Sequence, residues 1–335
     1  MLTISGNITA NNLYVSTNSK QHTLMNRTSK DYSLITLKGI AMGAADVIPG
    51  VSGGTIAFIS GIYEELLNSI KSVNLHSLKL LLSGRFADFW KAINGAFLLS
   101  LCTGIAISII SLAKGLKFLL DHYPILVWSF FFGLVVASAI YVAKTITKWS
   151  PATILSGIVG IIIAYSITII TPAEANTTYW FIFLSGAIAI CAMILPGISG
   201  SFILVLMGMY KFILESVSEF KIAVILTFMS GAAIGIVSFS NVLSWLLKKY
   251  HNLTISMLSG FMIGSLNKVW PWKEVVETFT DRHGEIKPLV ESNVFPGTYE
   301  QITGNPAFML GAIALAIVGF ALIFIIENIA NKLKK

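Results

Sequence analysis

The 335-residue sequence predicts an all-α integral membrane protein made of two inverted-topology repeats, each a re-entrant or broken-helix hairpin followed by three transmembrane helices. Three observations predict this. The chain is 55% hydrophobic and only 12% charged, with a mean hydropathy of +0.78, whereas soluble domains carry about 25% charged residues. Apolar runs close to the ~20 residues that span a bilayer recur along it. A Pro-Gly-x-Ser-Gly element occurs twice, in similar surroundings.

Taken in order, residues 1–33 are rich in Asn, Ser and Thr and lack the apolar core of about 7 to 15 residues that a cleavable signal peptide needs. They read as a disordered cytoplasmic tail. The first repeat covers 34–171, with a hairpin at 34–67 and spans at 92–113, 125–145 and 152–171. Between hairpin and spans, 68–91 mixes Leu and Phe with Lys71, Lys79, Arg85 and Lys91. That suits a helix lying at the lipid surface, and a plain connecting loop serves equally. The second repeat covers 179–332, with a hairpin at 179–215 and spans at 222–246, 253–270 and 306–328. The polar stretch 271–305 reads as an external loop anchored by the interfacial aromatics Trp270 and Trp272.

The repeat decides the architecture. LKGIAMGAADVIPGVSGGTIAFISGIY, from Leu37 to Tyr63, aligns without a gap onto LSGAIAICAMILPGISGSFILVLMGMY, from Leu184 to Tyr210. Identical pairs include Pro49/Pro196, Gly50/Gly197, Ser52/Ser199, Gly53/Gly200, Gly61/Gly208 and Tyr63/Tyr210. Glycine-rich apolar sequence matches itself easily, but matched Pro, Ser and Tyr do not follow from composition. Each copy has two apolar arms joined where proline and glycine end one helix and let another begin. Irregular backbone at membrane depth is tolerated only where protein or a water-filled cavity surrounds it, so both loops should point inward. Three spans after each hairpin invert the second copy, an arrangement that places a binding site near the midplane. More Lys and Arg flank the side of the tail, which places both termini in the cytoplasm.

The loops carry the candidate chemistry. The second arm of each hairpin starts just after Pro-Gly, so unpaired N–H groups and a positive dipole end face the cavity. Pro49, Gly50, Ser52, Gly53, Gly54 and Thr55 in one loop, and Pro196, Gly197, Ser199, Gly200 and Ser201 in the other, supply close backbone approach and hydroxyl donors for an anion. The competing reading is tight helix packing by small residues. Packing alone does not call for the paired prolines or the repeated serine. Lys38 and Asp46 lie at membrane depth ahead of the first loop, and Ser185 and Met193 replace them in the second copy. Intramembrane ionisable groups point to function: Lys38 to a phosphate's charge, Asp46 to a coupling proton or cation such as sodium. Snorkelling to the interface is the bland alternative for Lys38.

Other chemistry finds no support. No catalytic residue, metal ligand set or cofactor motif stands out: there is no G-x-S-x-G elbow and no P-loop, and His22, His76, His122, His251 and His283 fall in the tail or in loops. Cys102 and Cys191 read as small packing residues. The formal net charge of +7 lies in short loops, with no basic stripe or stacking platform for nucleic acid.

KGIAMGAADVIPGVSGGTIAFISGIYEEL at 38–66 and ILPGISGSFILVLMGMY at 194–210 resemble the polyprenyl-phosphate transporter family of bacteria and archaea, long classed as a membrane domain of unknown function. The resemblance implies a flippase of the cytoplasmic membrane that returns undecaprenyl phosphate, or a related polyprenyl phosphate, to the inner leaflet for cell-wall synthesis. The residues alone reach only an inward-facing anion site. A carrier of a small soluble anion and an intramembrane lipid-phosphate enzyme are the alternatives, and oligomeric state is left open.

Overall fold

A computed structural model of the protein describes residues 27–46, 52–170, 176–280 and 286–333. Helices dominate it. The first hairpin contains α1 (Ser29–Asp46), α2 (Gly53–Ile59) and α3 (Tyr63–Lys71), and the short α4 (Leu75–Leu82) and α5 (Phe86–Ala92) lead to α6 (Gly95–His122), α7 (Pro124–Lys144) and α8 (Pro151–Ile169). The second contains α9 (Tyr179–Ile194), α10 (Gly200–Leu206) and α11 (Tyr210–Ser218), followed by α12 (Ile222–Lys249) and α13 (His251–Ser265). Strands β1 (Lys273–Thr280) and β2 (Ile286–Asn293), the short α14 (Pro296–Thr303) and α15 (Met309–Leu333) complete the chain.

Among the described residues α7, α8 and α12 are long and apolar enough to cross a membrane. The number rises to five if the bent pairs α5 with the start of α6, and α10 with α11, each count as one span. Local chemistry sets the helix starts: Ser150 accepts a hydrogen bond from the Thr153 amide, and prolines open both α7 and α8 where no intrahelical donor is lost.

Four details differ from the sequence expectation. The second arm of each hairpin is not continuous, because Gly61 and Gly208, aligned in the repeat, adopt left-handed φ of +73° and +68° and split it. At Gly208 the pieces α10 and α11 meet at 113°. Helix α1 already begins at Ser29, inside the expected tail, where Asp31 accepts from the Thr28 amide and hydroxyl. The span expected at 253–270 ends its helix at Ser265. The 271–305 segment is not a plain loop in an all-α chain, since it holds an antiparallel hairpin pairing Lys273 with Asn293 through Thr280 with Ile286. Its β-branched Val275, Val276, Thr278 and Thr280 favour a pleated strand once the chain is outside hydrocarbon.

The long helices pair in a crossed pattern. Helix α1 lies along α6 and α9 along α12, while α7 packs on α15, α8 on α13, and α7 on α13. Glycine makes these contacts close. A Cβ on Gly39 would strike the Leu101 carbonyl and one on Gly104 that of Thr36, and Gly186 and Gly231 stand in the same relation to Phe228 and Phe183.

Polar contacts tie each end of the bundle. At one end Arg27 forms a two-pronged pair with Glu65 at 2.7 Å, Asn94 bonds Glu65, Ser244 meets Asn68, and Thr147 meets Asn252. At the other end Asn267 donates to Thr168, Asn293 donates to Asn267, and Trp272 donates to the Ala307 carbonyl.

Candidate functional site

The two loops meet inside the bundle. Ser52 is the N-cap of α2, accepting from the Gly54 amide, and its hydroxyl donates toward the carbonyls of Met193 and Leu195, each at 3.1 Å. The buried Tyr63 hydroxyl donates to the Ile194 carbonyl at 3.1 Å, and the Gly197 amide donates to Thr55 Oγ1 at 3.0 Å. A Cβ on Gly54 would lie 2.5 Å from the Ile194 carbonyl oxygen. The first loop is thus clamped onto the backbone that ends α9. Ser52 and Thr55 are 1% and 0% exposed, so both hydroxyls are committed to this junction.

Lys38 and Asp46 bracket α2. The Asp46 carboxylate accepts from the Gly53 amide at 2.7 Å at the helix start, and the Lys38 ammonium donates to the Ser60 carbonyl at 2.8 Å at its end. Each charge complements the backbone dipole it faces. The anion-accepting end expected of the first loop therefore already holds a carboxylate. In the second loop Met193 takes the place of Asp46, a Cβ on Gly200 would fall 3.4 Å from that of Met193, and no side chain caps α10. Gly197, at φ +89°, has space for no side chain, since a Cβ would sit 2.9 Å from Ser265 Oγ. Pro196 is buried beside it, and the Ser199 and Ser201 hydroxyls bond each other at 2.8 Å. Pro49 and Gly50 lie outside the described residues.

Structure adds residues that sequence reading passed over. Thr168, Ser265 and Lys268, not anticipated from the sequence, share the wall of one narrow cleft with the anticipated Gly197 and Ser199. Beside it a cavity of about 460 Å³ is lined by Phe132, Ile161, Tyr165, Ile263, Trp270 and Phe295, together with the polar Asn267 and Asn293. The Lys268 ammonium stands 4.7 Å from the Phe202 ring centre and 3.6 Å from Glu291. Glu291 also pairs with Lys273 at 3.3 Å, and Lys273 lies 4.1 Å over the Trp128 ring. Burial pushes the Lys273 ammonium down to about 8 despite the carboxylate beside it. Burial alone would raise Glu291, but the two lysines outweigh it and hold its carboxyl below the usual range. In the sequence Lys268 is one lysine closing an apolar run, indistinguishable from a charge that snorkels. Tyr63, paired with Tyr210 in the repeat, was the available signal for the junction.

Apolar helices with bilayer-length runs, enclosing two broken loops that bond one another, define a multi-pass membrane protein. The chain belongs to the VCA0040-like, undecaprenyl phosphate translocase-like family, whose model matches residues 42–287. A polyprenyl-phosphate transporter of Vibrio cholerae is 46% identical over 302 residues, 90% of this chain and 98% of the relative. A polyprenyl-phosphate transporter of Staphylococcus aureus is 31% identical over 254 residues, 70% of this chain and 85% of the relative. No solved structure matches.

Proposed function

We propose that the chain is a secondary transporter that moves undecaprenyl phosphate, or a related polyprenyl phosphate, across the cytoplasmic membrane and returns the carrier lipid to the inner leaflet. One observation carries this reading: identity to a relative named polyprenyl-phosphate transporter extends over 98% of that relative, so the likeness is not confined to the loop motifs.

The inverted repeat belongs to the same reading. It is supported by the crossed pairing, in which the second span of each half packs on the third span of the other: α7 on α15 and α13 on α8. A two-fold axis in the membrane plane would produce that exchange. Support also comes from α1 starting beside the Arg27–Glu65 end, while α11 leads into the far end of α12. We place the Arg27–Glu65 end and both termini in the cytoplasm, where exposed Leu75, Leu82 and Phe86 beside Lys79 and Arg85 suit α4 and α5 to the lipid surface. The site residues keep graded roles. Ser199, Gly200 and Ser201 of the uncapped second loop face the headgroup, Ser52, Gly54 and Thr55 hold the loops together, and Asp46, released from Gly53 by a proton or displaced by a sodium ion, couples the gradient to loop opening.

Reconstitution with labelled undecaprenyl phosphate tests the function. Leaflet accessibility should change in protein-containing liposomes and respond to a proton or sodium gradient. Accessibility equal to that of empty liposomes under every gradient would remove the reading.

A further inference from the structure

At the end of the bundle opposite Arg27, one carboxylate is shared by two ammonium groups: Glu291 lies 3.3 Å from Lys273 and 3.6 Å from Lys268. The cluster therefore keeps one positive charge in excess. The lysines differ in what else they touch. Lys273 is held over Trp128 with its side chain 7% exposed, whereas Lys268 is 23% exposed and shares a cleft wall with Ser199 and Thr168. Its chain neighbour Asn267 lines the larger cavity. That cavity is apolar, and two of its walls, Tyr165 on α8 and Ile263 on α13, are 48% and 44% exposed on the outer surface of the helices. Lys268 lines the narrow cleft and Asn267 the apolar trough, so a cation stands next to a trough flanked by exposed helix faces. That arrangement matches an amphiphile with an anionic head and a hydrocarbon tail.

We propose that this region is the outer-leaflet receiving site for a prenyl phosphate. Lys268 turns from Glu291 to the phosphate, Ser199 lies on the phosphate side, and the first isoprene units occupy the trough between Tyr165, Ile263, Trp270 and Phe295. Glu291 acts as the resident anion that the phosphate replaces, and Lys273 keeps Glu291 paired when Lys268 leaves it. The assignment rests on the transport reading above and names where its substrate enters.

The test uses full-length protein in nanodiscs of zwitterionic lipid, with farnesyl phosphate as probe and farnesol and inorganic phosphate as comparison ligands. Lys268→Gln should weaken farnesyl phosphate binding about ten- to a hundredfold and leave farnesol binding unchanged. Lys268→Arg should retain most of the binding. Glu291→Gln should tighten it, because the competing carboxylate is gone. Ile263→Trp, which fills the trough, should weaken farnesol and farnesyl phosphate alike. Equal farnesyl phosphate binding by wild type and Lys268→Gln overturns the site, as does weakening by Glu291→Gln. Inorganic phosphate bound as tightly as farnesyl phosphate overturns the lipid assignment. The transport reading itself falls only if wild-type liposomes move no undecaprenyl phosphate.

Discussion

Asp46 accepts a hydrogen bond from the Gly53 amide at 2.7 Å, so the first loop closes its own helix start with a carboxylate. The aligned pair in the second loop is Met193 and Gly200, where no such bond forms. Two loops of matching sequence thus differ at their helix starts. One is self-satisfied and the other is uncapped.

Asp46→Asn should keep a neutral bond to Gly53 and lose the charge-assisted part, a cost of about 1 kcal/mol. Purified variant protein should bind substrate yet lose the gradient dependence of flux. Undiminished dependence on the gradient in folded Asp46→Asn protein would confine Asp46 to capping.

The junction between the loops makes a separate prediction. Tyr63→Phe leaves the buried Ile194 carbonyl without its partner, and Thr55→Val leaves the Gly197 amide without one. Each should lower stability by about 1 to 3 kcal/mol, read as a lower unfolding midpoint in detergent. Midpoints unchanged in both variants would mean the loops do not depend on these bonds.

Gly197 offers a backbone test. At φ +89°, with Ser265 Oγ 2.9 Å from any Cβ, alanine is strained by its conformation and crowded by its neighbour. Gly197→Ala should cost about 1 to 3 kcal/mol and Gly61→Ala, which has φ +73° and open space, no more than that. The reverse order would show that Ser265 yields freely.

The Lys273 cluster predicts a pH dependence. Burial lowers this lysine from 10.5 to about 8, so between those values the unfolded chain holds a proton that the folded chain has released. Stability contributed by Lys273 therefore rises as pH increases from about 8 to about 10.5, and below about 8 the full cost of the buried charge applies. Thermal midpoints of wild type should climb across that window relative to Lys273→Met. Parallel curves for the two proteins would refute the shift.

What the sequence could reveal follows range of interaction. Pro196-Gly197 and the repeated serine act through neighbouring backbone, so the break between α9 and α10 was legible, whereas Pro49 and Gly50 lie outside the described residues. A helix lies near each of the six expected spans, α13 being shorter than its expected range. Gly61 and Gly208 stood out only as an aligned identical pair, because a left-handed φ leaves no mark on composition. The β-hairpin was hidden by the charges interleaved with Val275, Val276, Thr278 and Thr280. The bonds from Ser52, Tyr63 and Thr55 to residues 193–197 connect segments far apart in the chain, and no local pattern encodes them. Lys268 gains meaning only from Glu291 and Ser199, which the fold brings from elsewhere.

Undecaprenyl phosphate flux through Gly53→Leu and Gly200→Leu proteins in liposomes bears most directly on the two loops as the transport path. A Cβ on Gly53 would run into the Asp46 carboxylate, and one on Gly200 would lie 2.6 Å from the Ala189 carbonyl oxygen. Gradient-driven flux should fall by well over tenfold in each folded variant, more than the three- to tenfold expected for Ser199→Ala, which removes one neutral hydroxyl. Wild-type flux in both leucine variants would contradict a transport path through the loops and leave them as packing elements.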